Sequence, residues 1–149
     1  MNKLFYIIFV VLTTTFTWSL SAQDKAPNHF DKKAFIEKRN AYIIDEVGLS
    51  PEEAAIFIPL SNELLDKKYE IDRTCRKYFR SIKKKETPTD SEYTEAVDCY
   101  LRSQKEIANL EQVYYKKFRK ILSPEQVYNY RWAEIRFVHE FMQKRGKKK

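Results

Sequence analysis

Two cysteines flank one break at equal distances, and that symmetry constrains this chain more than any other feature. Between positions 50 and 123 the one strong interruption of helical periodicity is Glu86-Thr87-Pro88-Thr89-Asp90-Ser91, and Cys75 and Cys99 each stand 12 residues from Thr87. If helices on both sides fold back antiparallel, residues whose numbers sum to about 174 face each other, as Cys75 and Cys99 do. A disulfide is expected, worth about 3 kcal/mol through loop closure. Two buried thiols or a cysteine metal site are the alternatives, and neither cysteine has a histidine nearby to complete a metal site.

The break is one of few. Two glycines and five prolines in 149 residues are too few for a turn-rich sandwich or barrel, or for a glycine-loop nucleotide site. Helical spacing predicts four helices and no strand of useful length. The first follows Asp31 as N-cap, carries Phe35, Ile36, Tyr42, Ile43 and Val47, and stops at Gly48. Ser50, Pro51 and Glu53 open the second as a capping box. Phe57, Leu60, Leu64, Ile71, Cys75, Tyr78 and Ile82 carry its apolar stripe to about residue 85, with a kink expected at Pro59. The third starts near residues 89–91. Its expected seam is Tyr93, Val97, Tyr100, Gln104, Ile107, Glu111, Tyr114, Phe118 and Ile121. Ser123, Pro124 and Gln126 open the fourth, which should end near residue 142 before a loose basic tail, 144–149. The expected architecture is all-α: an elongated antiparallel helical hairpin with two flanking helices. So thin a layer leaves apolar surface uncovered, which makes a second copy an expected partner.

The first 22 residues read as a secretory signal peptide. A basic start, Met1-Asn2-Lys3, precedes nine apolar residues (LFYIIFVVL, 4–12), and Ala22 offers a small residue at the cleavage site. The apolar run is about half the length of a membrane-spanning helix, and no cysteine follows it to accept a lipid. The alternative is an uncleaved anchor. Cleavage after Ala22 leaves a single domain over 23–143 plus the tail, exported to the periplasm. Export in turn favours the disulfide.

Charge comes in blocks. Residues 24–66 carry net -4, 67–85 +7, 86–115 -5 and 116–149 +8. Folding at 86–91 sets opposite blocks side by side, so much of the charge is expected to pair within the fold. The surplus concentrates at Lys116, Lys117, Arg119, Lys120, Arg131, Arg136 and the tail, where it can steer acidic partners. An exported chain without RRM, zinc or OB signatures gives no reason to expect nucleic acid.

Nothing in the sequence forms a catalytic constellation, and no enzyme activity, cofactor or metal is expected. His29 and His139 have no ligand partner at i+3 or i+4, and no G-x-S-x-G, P-loop or H-E-x-x-H occurs. Glu52 and Glu53 fit the positive end of a helix dipole. The fourth helix has two apolar stripes: Val127, Tyr130, Val138 and Phe141, and Tyr128, Trp132, Ile135 and Met142. They form either one broad core face or a core face plus an outward surface beside Arg131 and Arg136.

A short repeat completes the reading. Leu49-Ser50-Pro51-Glu52-Glu53 recurs as Leu122-Ser123-Pro124-Glu125-Gln126, 73 residues later. Here the chain resembles the Spy/CpxP-like family of periplasmic proteins, with its paired L-T-x-x-Q motifs. Ser123 stands for Thr, and Glu53 departs from Gln. The cysteine pair and Pro59 are not part of the family pattern. The resemblance implies a curved antiparallel homodimer that holds unfolded or misfolded envelope proteins without ATP on a basic, partly apolar face. The residues expected to carry this are Lys116, Lys117, Lys120, Tyr128, Arg131, Trp132 and Arg136. The alternatives are a non-catalytic envelope-stress sensor or regulatory partner of a membrane signalling protein, and a structural protein on an acidic envelope surface. The family's metal-sensing branch uses His, Met and carboxylate clusters that this chain lacks.

Overall fold

A computed structural model of the protein describes residues 31–146, without the side chains at 142 and 144–146. The expected signal peptide, His29 and residues 147–149 lie outside the described residues. Four helices make up the described chain: α1, Lys32–Val47; α2, Pro51–Lys84; α3, Asp90–Phe118; and α4, Pro124–Gly146. No strand occurs among the described residues, and no helix among them is long and apolar enough to cross a membrane.

The sequence fixes the helix ends through local chemistry. α1 stops because Gly48 takes φ +67°, which a residue with a Cβ adopts only at a cost. Its N–H donates to Asp45 O at 3.2 Å, and that of Leu49 to Ile44 O at 3.1 Å. This is the Schellman pattern that satisfies the last carbonyls. Ser50 caps α2 with both bonds of a capping box. Thr89 and Glu92 form the same box at the start of α3, a T-x-x-E signal visible in the sequence but not singled out there. At α4, Ser123 N donates to Gln126 Oε1 at 2.9 Å, and Gln126 N donates to Ser123 Oγ at 3.2 Å. Pro59 lies inside an unbroken α2. The residue whose carbonyl it leaves without a partner, Ala55, is exposed, so water can take that bond. α4 continues to Gly146 and absorbs the first part of the expected tail. No helix breaker precedes Gly146.

α2 and α3 form the expected antiparallel hairpin, and α1 lies antiparallel along α4. All four helices contribute to one core at the open end of the hairpin. Phe57, Phe118 and Tyr130 sit edge to face there, with ring centroids 4.8 to 5.4 Å apart. Leu49 and Leu122, the leading residues of the two repeats, are buried in the same core. Toward Pro88 the hairpin is only two helices thick, and Ile82, Ala96 and Ser103 are its buried residues. The Cys75–Cys99 disulfide staples this thin part, with Cα atoms 5.4 Å apart.

The staple also corrects the expected seam of α3. From Ile107 to Phe118 the expected positions do turn inward. Before that, the residues facing α2 are Ala96, Cys99 and Ser103, whereas Tyr93, Val97, Tyr100 and Gln104 stay outside. Helices drawn together by a disulfide leave room between them for small side chains and none for tyrosines.

Candidate functional site

α4 has two faces. Val127, Tyr130, Ala133 and Phe137 are buried, and Phe137 and Phe141 close around Phe35 of α1 at 5.4 and 4.9 Å. At 100° per residue the opposite side carries Tyr128, Trp132 and Ile135. They keep 63, 49 and 49 % of their surface in solvent, and Val138 beside them keeps 55 %. Among the described side chains the two expected stripes are therefore a core face and an outward face, with Val138 moved to the outward one, while the side chain of Met142 lies outside the described residues. Tyr128 and Trp132 meet edge to face with centroids 6.4 Å apart.

Below the core face, Arg39 is 3 % exposed and ties three helices together. Its Nη2 donates to Ser61 Oγ at 2.9 Å, Tyr130 Oη at 3.3 Å and Glu134 Oε1 at 2.7 Å. Its Nη1 donates to Asn62 Oδ1 at 3.1 Å. Burial, with the charge of Glu134 adding to it, pushes the Tyr130 hydroxyl well above the ordinary phenol range. The same two causes push Tyr115 up to about 12. Both tyrosines are neutral at any physiological pH. This cluster fixes the orientation of α4 and so of its outward face. A cation buried in the acidic first block, paired with a carboxylate of the basic last block, is the reverse of the block pattern and was not anticipated.

The seven residues expected to bind clients fall into two groups. Tyr128, Arg131, Trp132 and Arg136 share α4. Arg131 Nη1 lies 3.3 Å from Glu111 Oε1, an oxygen that also pairs with Lys68, and Arg136 pairs with Glu46 of α1. Lys116, Lys117 and Lys120 sit at the end of α3 and in the turn after it. Lys117 Nζ lies 4.4 Å from the centre of the Tyr114 ring, whereas Lys116 and Lys120 are exposed and make no ion pair among the described residues.

Pairing between the charge blocks is partial. Lys68–Glu111 and Lys85–Glu92 cross the hairpin as expected. Lys67–Glu63, Arg73–Glu70, Arg76–Asp72 and Arg102–Glu95 stay within one helix. On α2, Lys77, Arg80, Lys83 and Lys84 have no acidic partner among the described residues.

At the other end of the hairpin an open cavity lies beside Pro88, between Phe79 and Ile82 of α2 and Tyr93 and Val97 of α3. It is the direct result of the shifted α3 seam and was not foreseen. The small residues at 96, 99 and 103, spaced like a seam of their own, were the signal for it.

Among the described residues no cluster of three or more His, Cys, Asp or Glu side chains is placed to hold a metal ion. No family model, curated protein or solved structure matches the chain.

Proposed function

We propose that the protein is an ATP-independent chaperone-like binder of unfolded or misfolded envelope proteins, exported to the periplasm and related to the Spy/CpxP-like proteins. One observation carries the reading: α4 holds its core with one face and turns Tyr128, Trp132, Ile135 and Val138 to solvent with the other. A run of large apolar side chains with no part in the core marks a surface meant for a partner. Aromatic residues suit varied partners because they offer large contact area at little entropic cost. Lys116 and Lys120, which make no ion pair among the described residues, steer acidic segments toward this part of the molecule. No step of this activity calls for a nucleotide, a metal or bond chemistry.

The test is aggregation of a reduced or denatured client in the presence of the mature protein without nucleotide. Suppression that weakens in Trp132→Ser and Tyr128→Ser supports the reading. No suppression at several-fold molar excess overturns it. A second reading, regulatory partner of a membrane signalling protein, is favoured by the pinning of Arg131 to Glu111 and Arg136 to Glu46, which gives the face a fixed charge pattern suited to one folded surface. It predicts capture of a specific membrane partner and little action on generic clients. A homodimer belongs to the proposal as well, and sizing of the mature protein decides it.

A further inference from the structure

The cavity beside Pro88 has a volume of about 410 Å³. Ile82 and Ala96 form its buried floor, while Phe79, Tyr93 and Val97 on its walls keep about half of their surface exposed. Two cations and one acid line its edge: Lys83, Lys85 and Glu86. Lys85 is already engaged, since its Nζ donates to both oxygens of Glu92 at 2.8 and 2.7 Å. Lys83 has no acidic partner among the described residues, and Arg80 and Lys84 in the same last turns of α2 have none either.

We propose that this cavity docks a peptide segment carrying a large apolar side chain next to an acidic residue. The inference rests on the chaperone reading and deepens it by naming a client feature and a second place on the molecule that receives it. The apolar walls remove an anchor side chain from water, which is the main source of affinity in a small concave site. The uncommitted cations of α2 supply charge complementarity for the neighbouring carboxylate, while Glu86 disfavours an acid on the turn side. A concave site between two helices fits a protruding side chain better than a flat lipid surface.

The experiment uses the mature protein, with a fluorescein-labelled Gly/Ser peptide centred on Glu-Trp-Glu as the probe. Control peptides carry Lys-Trp-Lys or Glu-Ser-Glu, and vesicles of equal phosphatidylglycerol and phosphatidylcholine test the lipid alternative. Fluorescence anisotropy should show binding of the first peptide, with each control weaker by about tenfold. Val97→Glu and Lys83→Glu alter exposed side chains, so their fold can be verified by circular dichroism, and each should weaken binding about tenfold. Equal binding of the controls, or binding that survives both cavity variants, overturns the proposal. So does cavity-dependent binding of vesicles, or self-association, in place of peptide binding. Intact client protection without peptide binding removes this site and leaves the chaperone reading standing. Peptide binding without client protection does the reverse.

Discussion

Gln126 Nε2 donates to Glu53 Oε2 at 3.0 Å, so the fifth positions of two motifs 73 residues apart meet in space. The same Glu53 oxygen accepts from Ser50 N at 2.9 Å within its own capping box. Glutamate in one copy and glutamine in the other is thus an acceptor–donor pair, which gives the difference between the two copies a physical reason. The contact locks the starts of α2 and α4 together, with Leu49 and Leu122 buried beneath them.

Gln126→Glu places two carboxylates where a donor met an acceptor. It should destabilise the fold by about 1–2 kcal/mol, and Glu53→Gln in the same chain should restore most of that loss. Urea denaturation of the two single variants and the double variant gives the coupling energy directly.

Arg39→Met removes the charge that Glu134 faces and leaves a carboxylate, 14 % exposed, unpaired between helices. The expected cost is about 3–5 kcal/mol. Glu134→Gln added to Arg39→Met should recover part of it by removing the unpaired charge. Near-UV circular dichroism around Tyr130 should lose intensity in the single variant.

Reduction of Cys75–Cys99, or replacement of both by Ser, should cost about 3 kcal/mol. The loss should be uneven. Amides of residues 71–103, where few apolar side chains are buried, should gain hydrogen exchange well before those around Phe57 and Phe118. Equal acceleration across α2 and α3 would refute the division into a packed end and a stapled end.

Acid should weaken two carboxylate contacts, one at the turn end of the hairpin and one beside the packed core. Bonds from Lys85, then from the Thr89 backbone, hold the Glu92 carboxyl below its ordinary range, and Lys67 does the same for Glu63. A depressed carboxylate pKa adds stability that is fully present above the unfolded value, about 4.3, and is lost as pH falls through the folded value. Thermal midpoints should therefore be flat from neutral pH to about 5 and fall below that. Glu92→Gln should flatten the acid limb while lowering the neutral midpoint.

Trp132→Ser and Tyr128→Ser should change stability by less than about 0.5 kcal/mol, because neither side chain belongs to the core. Their effect should appear in client protection alone. A large loss of stability in either would place the outward face of α4 in the core and remove the basis of the proposed function.

Local physics made the helices legible from the sequence. Gly48, Ser50, Ser123 and the break around Pro88 speak through caps and turns that involve neighbours in the chain, and the equal spacing of Cys75 and Cys99 about that break set the register of the hairpin. What only the tertiary structure decided is which side of each helix faces inward. Along α3, tyrosine and valine at seam-like spacing lost the interior to Ala96, Cys99 and Ser103, because the distance between stapled helices admits only small side chains there. On α4, two apolar stripes of similar strength were separated into core and surface by contacts from α1, with Arg39 and Phe35 choosing the inner one. Sequence periodicity counts apolar residues but not the space left for them, and that space exists only once the helices have met.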